Sequence, residues 1–373
     1  MQALFSLRPP VSQTAATPVL KLDDRGLYCA AGDFYIDPWG KTDKALITHA
    51  HADHARPGQN HYYSHPDSVA IMRKRLGDQL QFTGVEYGES LTFGDAHVSF
   101  HPAGHVLGSA QIRVEVDGEV WVASGDYKRD DDPTCAPFEV IPCDTFITEA
   151  TFGLPVYRWK PTSEVAKDIL AWWQFNASQG VASVLFCYAF GKAQRVLAEL
   201  MAITNQTIYL HGAVDNLTRI YRDLGVQMLP TEPVIAQGRQ KTKQDYSQSL
   251  VIAPPGANGT PWMRRFGKTS TGFASGWMQV RGNRRRRGHD RGFVISDHAD
   301  WPSLLSTIKE TGAEQILITH GQSDILRQYL VEQGVNARAL ETYYRGDDGE
   351  DEGIAKKQAD EAQTVIQTAG SNS

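Results

Sequence analysis

The run T-H-A-H-A-D-H, residues 48–54, constrains the fold more than any other segment, because it sets four metal-binding side chains, His49, His51, Asp53 and His54, within six residues. It follows directly on the apolar stretch Ala45, Leu46, Ile47, so the pattern predicts a buried strand that ends in a ligand-bearing turn. Alternate residues of an extended segment face the same side, which aims His49 and His51 together, and a turn straight after them can bring Asp53 and His54 around a second ion. The alternative is a polar loop of hydrogen-bonded histidines, and the ligand density speaks against it. Hard oxygen and borderline nitrogen donors together favour zinc, with manganese as the alternative, over copper or an iron–sulfur cluster.

A dinuclear centre needs ligands beyond those four, and three strand-end positions offer them. His105 stands in A-G-H-V-L-G-S, where small neighbours let the backbone approach a metal; otherwise it is a turn histidine. Asp126 in V-A-S-G-D-Y can bridge two ions or cap a helix or turn. His320 in L-I-T-H-G can complete the second ion or stand as a surface histidine at a strand end.

Short apolar runs alternate with helical patterns along most of the chain, which predicts α/β layering. Ala45 to Thr48, Val98 to His101, Glu119 to Ser124, Asp144 to Thr148, Ser183 to Tyr188 and Gln315 to Thr319 read as strands that end in polar residues. Thr162 to Asn176, Lys192 to Met201 and Trp301 to Lys309 carry helix-period apolar faces. Residues 152–290 form a separate compositional block with metal-binding residue types on both sides, so the block reads as an insertion and the site as built from its flanks. After Arg345 the chain turns acidic and then polar with nothing to bury, and it reads as a flexible tail.

A formal net charge of −6 excludes a protein that coats a polyanion by bulk electrostatics. A local basic patch is the alternative, and the stretch 281–292 holds six arginines, with Arg284, Arg285, Arg286 and Arg287 consecutive. Trp262, Phe266, Phe273 and Trp277 precede it and could stack on unpaired bases or fill a core. Cys29, Cys135, Cys143 and Cys187 lack C-x-x-C spacing, so they are expected as reduced thiols. No apolar window reaches the length of about 18 residues that a membrane span needs, and the first residues lack a secretory layout, so a cytoplasmic location is expected.

Taken in order, Asp37, the H-x-H-x-D-H block, His105 and Asp126 resemble the successive metal motifs of the metallo-β-lactamase superfamily. Glu149 in T-E-A-T-F-G, His298 in I-S-D-H-A-D and His320 in T-H-G resemble the three additional motifs of its β-CASP branch of nucleic-acid-processing proteins. The stretch C-Y-A-F-G-K-A-Q-R at 187–195, with Lys192, is similar to the opening strand and helix of that branch's inserted domain. The spacing and the stretch G-L-Y-C-A-A-G-D-F-Y-I-D-P-W resemble the bacterial ligase-associated DNA exonucleases within the branch, over about residues 20–342. The four-arginine run is not among the branch's motifs.

The resemblance implies a metallo-β-lactamase αββα sandwich with an inserted α/β β-CASP domain. Its parts would be 1–151 and 291–344 for the metallo-β-lactamase domain, 152–290 for the insertion and 345–373 for the tail. It implies one cation on His49, His51 and His105, a second on Asp53, His54 and His320, and Asp126 between them. Asp37, twelve residues before His49, would buttress the ligand loop, with Asp33 competing for that role. His298 would protonate the leaving oxygen and Glu149 would hold its charged form; the alternative for His298 is helix capping ahead of Trp301. Arg284 to Arg287 and Lys192 would contact nucleic acid. The implied function is a two-metal DNA exonuclease working by hydroxide attack on single-stranded ends, in repair, with an ATP-dependent ligase and a helicase as partners. A ribonuclease of the same branch is the alternative, favoured by a histidine at the third additional motif, and a small-molecule metallohydrolase is the second.

Overall fold

The computed structural model describes residues 18–234, 244–280, 288–321, 323–340 and 342. Arg284 to Arg287 and the tail after Arg345 lie outside the described residues. The chain divides into two compact units: one takes in the chain through Pro161, Asp223–Val226 and the stretch from Ser296, and the second Thr162–Arg222 and Gln227–Ile295.

The first unit is built on two sheets. The first, six-stranded, runs in chain order through β1 (Lys21–Leu22), β2 (Leu27–Cys29), β3 (Phe34–Ile36), β4 (Lys44–Leu46), β5 (His61–Ser64) and β6 (Gln81–Gly84). The second, seven-stranded, is made of β7 (Ser90–Phe93), β8 (Ala96–Pro102), β9 (Ala110–Val116), β10 (Glu119–Ala123), β11 (Thr145–Ala150), β18 (Gln315–Gly321) and β19 (Asn336–Ala339), ordered β19-β18-β11-β10-β9-β8-β7. Leu27, Phe34, Ile36 and Leu46 of the first sheet share one buried apolar cluster with Val98, Phe100, Ile112, Val114 and Ile147 of the second. The sheets are therefore packed face to face, which is where the alternating apolar positions of both must go to leave water.

Helices cover the outer faces. Helix α1 (Pro66–Leu76) follows β5 and buries Val69, Ile71 and Met72. On the other side, Val122, Phe146, Ile316 and Ile318 pack against Trp301, Leu304 and Ile308 of α5 (Trp301–Thr311) and Leu326 and Leu330 of α6 (Ser323–Glu332). Every residue of β11 is buried, as befits a strand covered on both faces. Helix α5 starts at an Asp300 cap whose carboxylate accepts from Ser303 N–H at 3.0 Å, and it ends at Gly312 in the left-handed region. Such a cap contributes about 1 kcal/mol and fixes where the chain turns after His298.

The second unit is a six-stranded, wholly parallel sheet of β12 (Ala182–Phe186), β13 (Ile208–Leu210), β14 (Thr231–Pro233), β15 (Leu250–Ala253), β16 (Thr269–Ala274) and β17 (Arg291–Phe293), ordered β14-β13-β15-β12-β16-β17. Its helices are α2 (Thr162–Ser178), α3 (Lys192–Met201) and α4 (Gly212–Asp223). Phe266 and Phe273 are buried in its core, with Trp262 and Trp277 packed against them. Phe266 and Phe273 are thus core residues, and Trp262 and Trp277 are partly buried against them. Lys192 is 1% exposed, with Nζ 4.4 Å from the centre of the Tyr188 ring. Its ammonium lies over an aromatic face rather than in solvent, which argues against the direct phosphate contact expected of it.

The mixed α/β class is as expected. All four cysteines are free, and only Cys135 is partly exposed. Among the described residues no helix is long and apolar enough to cross a membrane.

Candidate metal centre

Ligand-type residues from six separate stretches meet in the first unit, at the ends of β4, β10, β11 and β18 and in two loops. Beyond β4, the segment Ile47 to His51 carries His49 and His51, and Ala55 N–H bonds back to His51 O at 2.8 Å to close the turn that presents Asp53 and His54. His105 lies in the loop between β8 and β9, and Asp126 three residues after β10. His49, His54, His105 and Asp126 are all at most 3% exposed.

Asp126 is the centre of the cluster. Its Oδ2 lies 3.5 Å from His49 Nε2, 3.4 Å from His54 Nε2 and 3.8 Å from His105 Nε2, while its Oδ1 lies 2.9 Å from His320 Nε2. His105 Nε2 and His51 Nδ1 stand 3.0 Å apart. One donor atom each from His49, His51, His105 and Asp126 falls within 4.8 Å of the others, and so does a second set from His54, Asp126 and His320. Four ligands about 2.1 Å from one zinc ion stand about 3.4 Å from each other, the range seen here. Asp53, partly exposed, puts its carboxylate 3.7 Å from His54 Nε2, on the side of the second set.

These residues fit a pair of divalent cations. His49 Nε2 is fully buried with no hydrogen-bond partner, a costly state for a polar atom that a metal relieves. The proton balance agrees. Burial, followed by the neighbouring His54 and His105, holds His49 well below the usual histidine range, and burial drives His105 down to about 4. Both are neutral and carry a lone pair at neutral pH. Burial also acts to lower His54, but the carboxylates of Asp53, Asp126 and Asp37 outweigh it and raise this ring well above the ordinary value. Asp126 is held well below the carboxylate range: burial would raise it, and His54 and His320 overcome that.

The imidazoles are held from behind. Asp37, 2% exposed, accepts from Thr48 N–H at 2.8 Å and Thr48 Oγ1–H at 2.6 Å, and its Oδ2 lies 2.7 Å from His54 Nδ1. Asp33, by contrast, is at the surface beside Lys44. His105 Nδ1 donates to Asp297 O at 2.8 Å, which fixes the loop carrying His298 against a ligand of the first set. Sequence reading missed Thr48, Thr319 and the Asp297 carbonyl. The hydroxyl residue that precedes both His49 and His320 was a visible signal for the two threonines.

Next to the donor sets, His298 Nδ1 lies 2.9 Å from Glu149 Oε2, both residues being buried. Glu149 Oε1 accepts from Tyr127 N–H at 2.8 Å, and Trp159 Nε1–H donates to His298 O at 2.9 Å. Atoms of Asp126, Glu149 and His298 lie within 4.8 Å of one another. The helix cap that was the alternative role for His298 is taken by Asp300.

His320 owes its aim to an irregularity in the sheet. β11 and β18 pair in register through Thr148 with Ile318, then shift so that Ala150 faces Gly321. The extra residue on β18 is how a bulge re-aims a side chain beside a site. Gly321 must be glycine there: its φ is +89°, and a Cβ would stand 2.3 Å from Ala150 O.

No family profile matches the chain. Over 319 residues it is 30% identical to a probable DNA ligase of Opitutus terrae, which covers 84% of this chain and 30% of that protein. It is 29% identical over 210 residues to a ribonuclease of Thermus thermophilus, covering 48% of this chain and 45% of that protein. Several further relatives carry ribonuclease names. The chain thus spans less than half the length of either relative described here. A crystal structure of a protein of unknown function from Enterococcus faecalis superposes with a TM-score of 0.55 at 12% identity over 81% of this chain and 80% of that one, a likeness of fold alone.

Proposed function

We propose that the chain is a two-metal phosphodiesterase of the metallo-β-lactamase superfamily and its β-CASP branch, acting on nucleic acid. The observation that carries this reading is the single buried carboxylate, Asp126, shared by two histidine sets, with a His298–Glu149 pair at its side. In this reading the unit that runs through Pro161 and resumes at Ser296 is the metallo-β-lactamase domain, and the unit of Thr162–Arg222 and Gln227–Ile295 is the inserted domain.

His49, His51 and His105 would hold one divalent cation and Asp53, His54 and His320 the other, with Asp126 bridging. Zinc suits five imidazoles and two carboxylates best, and manganese is the alternative. When bound, such a pair acidifies water and neutralises the non-bridging oxygens of a phosphodiester. The protein's own part is to place donors and move a proton. His298 donates a proton to the departing oxygen, and Glu149, held by Tyr127 N–H, stabilises and orients the charged ring. Asp53 and Asp126 keep negative charge at the centre, so that cations are drawn in ahead of the substrate.

DNA is the substrate we favour, as an exonuclease on single-stranded ends beside an ATP-dependent ligase and a helicase, because the relative matched over most of this chain is named a probable DNA ligase. A ribonuclease is the second reading, supported by the relatives with ribonuclease names. Matched single- and double-stranded DNA and RNA oligonucleotides, labelled at either end and supplied with zinc, manganese or chelator, separate the two. Metal-dependent loss of DNA from one end supports the first reading, RNA cleavage alone supports the second, and no cleavage of either sinks both.

A further inference from the structure

Two of the candidate ligands follow a threonine directly, Thr48-His49 just beyond β4 of the first sheet and Thr319-His320 within β18 of the second, and in both pairs the hydroxyl lies 3.1 Å from Nδ1 of the histidine after it. Thr319 Oγ1 donates its only proton to Thr148 O at 3.2 Å and lies 3.1 Å from His320 Nδ1. Thr48 Oγ1 donates to the Asp37 carboxylate at 2.6 Å and lies 3.1 Å from His49 Nδ1. Both threonines are buried.

A hydroxyl has one proton and two lone pairs. Where that proton is committed to an oxygen that cannot donate, as a backbone carbonyl or an ionised carboxylate cannot, the hydroxyl can meet a neighbouring ring nitrogen only as an acceptor. The ring nitrogen must then be the N–H. We propose that Thr48 and Thr319 are positioning residues that hold Nδ1 of His49 and His320 as the N–H, which leaves Nε2, the nitrogen that faces Asp126, as the atom to take a cation.

The placement of the other ring nitrogens shows what this achieves. His320 Nε2 stands 2.9 Å from Asp126 Oδ1 and His49 Nε2 stands 3.5 Å from Oδ2. Two acceptors that face each other so closely in a buried site repel unless a cation or a proton lies between them. A ring free to choose its tautomer would relieve that repulsion by moving its proton to Nε2, which blocks a cation. The threonines oppose that choice, each from the main-chain position before the ligand it controls. His54 and His105 are governed in the same sense by a carboxylate and a carbonyl, so the hydroxyls of Thr48 and Thr319 apply one rule to two further ligands.

This inference rests on the proposed metal centre for its purpose, but its test does not. Long-range proton–nitrogen NMR of metal-free, ¹⁵N-histidine-labelled protein at pH 8 should show His49 as the Nδ1–H form; a His49 ring protonated at Nε2 overturns the proposal whether or not cations bind. Zinc titration then reads the consequence. Thr319→Val, which keeps shape and removes the hydroxyl, should weaken the second zinc by about tenfold or more, as loss of an outer-shell partner does, while Thr319→Ser restores it. A Thr319→Val protein that binds zinc as tightly as the unsubstituted chain refutes the role, and so does failure of Thr319→Ser to restore binding. If the unsubstituted protein takes up no zinc, the metal reading fails and the His49 spectrum alone decides this one.

Discussion

Replacing Asp37 with asparagine changes one atom of a buried side chain and should disable the second cation site. Oδ1 of Asp37 faces Thr48 N–H, an obligate donor, so the amide oxygen of an asparagine has to stay there. The amide nitrogen then takes the place of Oδ2, which now accepts from Thr48 Oγ1–H at 2.6 Å and faces His54 Nδ1 at 2.7 Å. The threonine hydroxyl can turn and accept. The His54 ring must also become an acceptor at Nδ1, which puts its proton on Nε2, the atom 3.4 Å from Asp126 Oδ2 where a cation would sit. Substitutions behind a metal ligand typically weaken binding 10–100-fold, or about 1.4–2.8 kcal/mol. Competition against a chromophoric zinc chelator measures this directly. Asp37→Asn should lose affinity for the second zinc by that factor and, because the Thr48 proton is released toward His49 Nδ1, weaken the first as well, with little change in thermal stability because the shape is conserved. Two zinc sites of unchanged affinity would refute the reasoning.

Three further outcomes follow from the same geometry. His298→Ala should retain both cations and lose roughly 10²–10⁴-fold in turnover, the worth of one acid–base group; loss of metal in the same variant would make His298 a ligand instead. Gly321→Ala combines a positive φ with a Cβ placed 2.3 Å from Ala150 O, so it should cost about 2 kcal/mol or more in stability and displace His320; an unchanged melting curve would contradict it. His54, raised well above the ordinary histidine value by Asp53, Asp126 and Asp37 against the pull of burial, carries a proton at neutral pH that a cation must expel. Binding at the second site should therefore release about one proton and weaken as pH falls, and calorimetry in buffers of different ionisation enthalpy counts that proton. In the metal-free protein the sign for stability is the reverse: the raised His54 stabilises the fold below about pH 6.5, and that contribution is lost as pH rises through its folded value.

What could be read from the sequence was whatever depends on local periodicity. The strand before His49 and the turn after it follow from the alternation of apolar and ligand residues, and β4, β10, β11 and β18 all lie where apolar runs end in polar side chains. The identity of the buttressing carboxylate could not be read in the same way. Asp33 and Asp37 both have positive φ and sit in similar contexts, and only tertiary packing puts Asp37 against Thr48 and His54. The shift between β11 and β18 that aims His320 was also hidden, because a bulge is a property of two strands at once. The resemblance alone puts Lys192 at nucleic acid, whereas its side chain is buried over Tyr188, a placement that only tertiary packing decides.

The claim on which the rest depends is that two cations share Asp126. Metal content per chain after equilibrium dialysis against zinc, for the unsubstituted protein and for Asp126→Ala, tests it most directly. The account predicts two zinc ions per chain and loss of both tight sites in the variant. One ion or none in the unsubstituted chain, or two retained without Asp126, would contradict it.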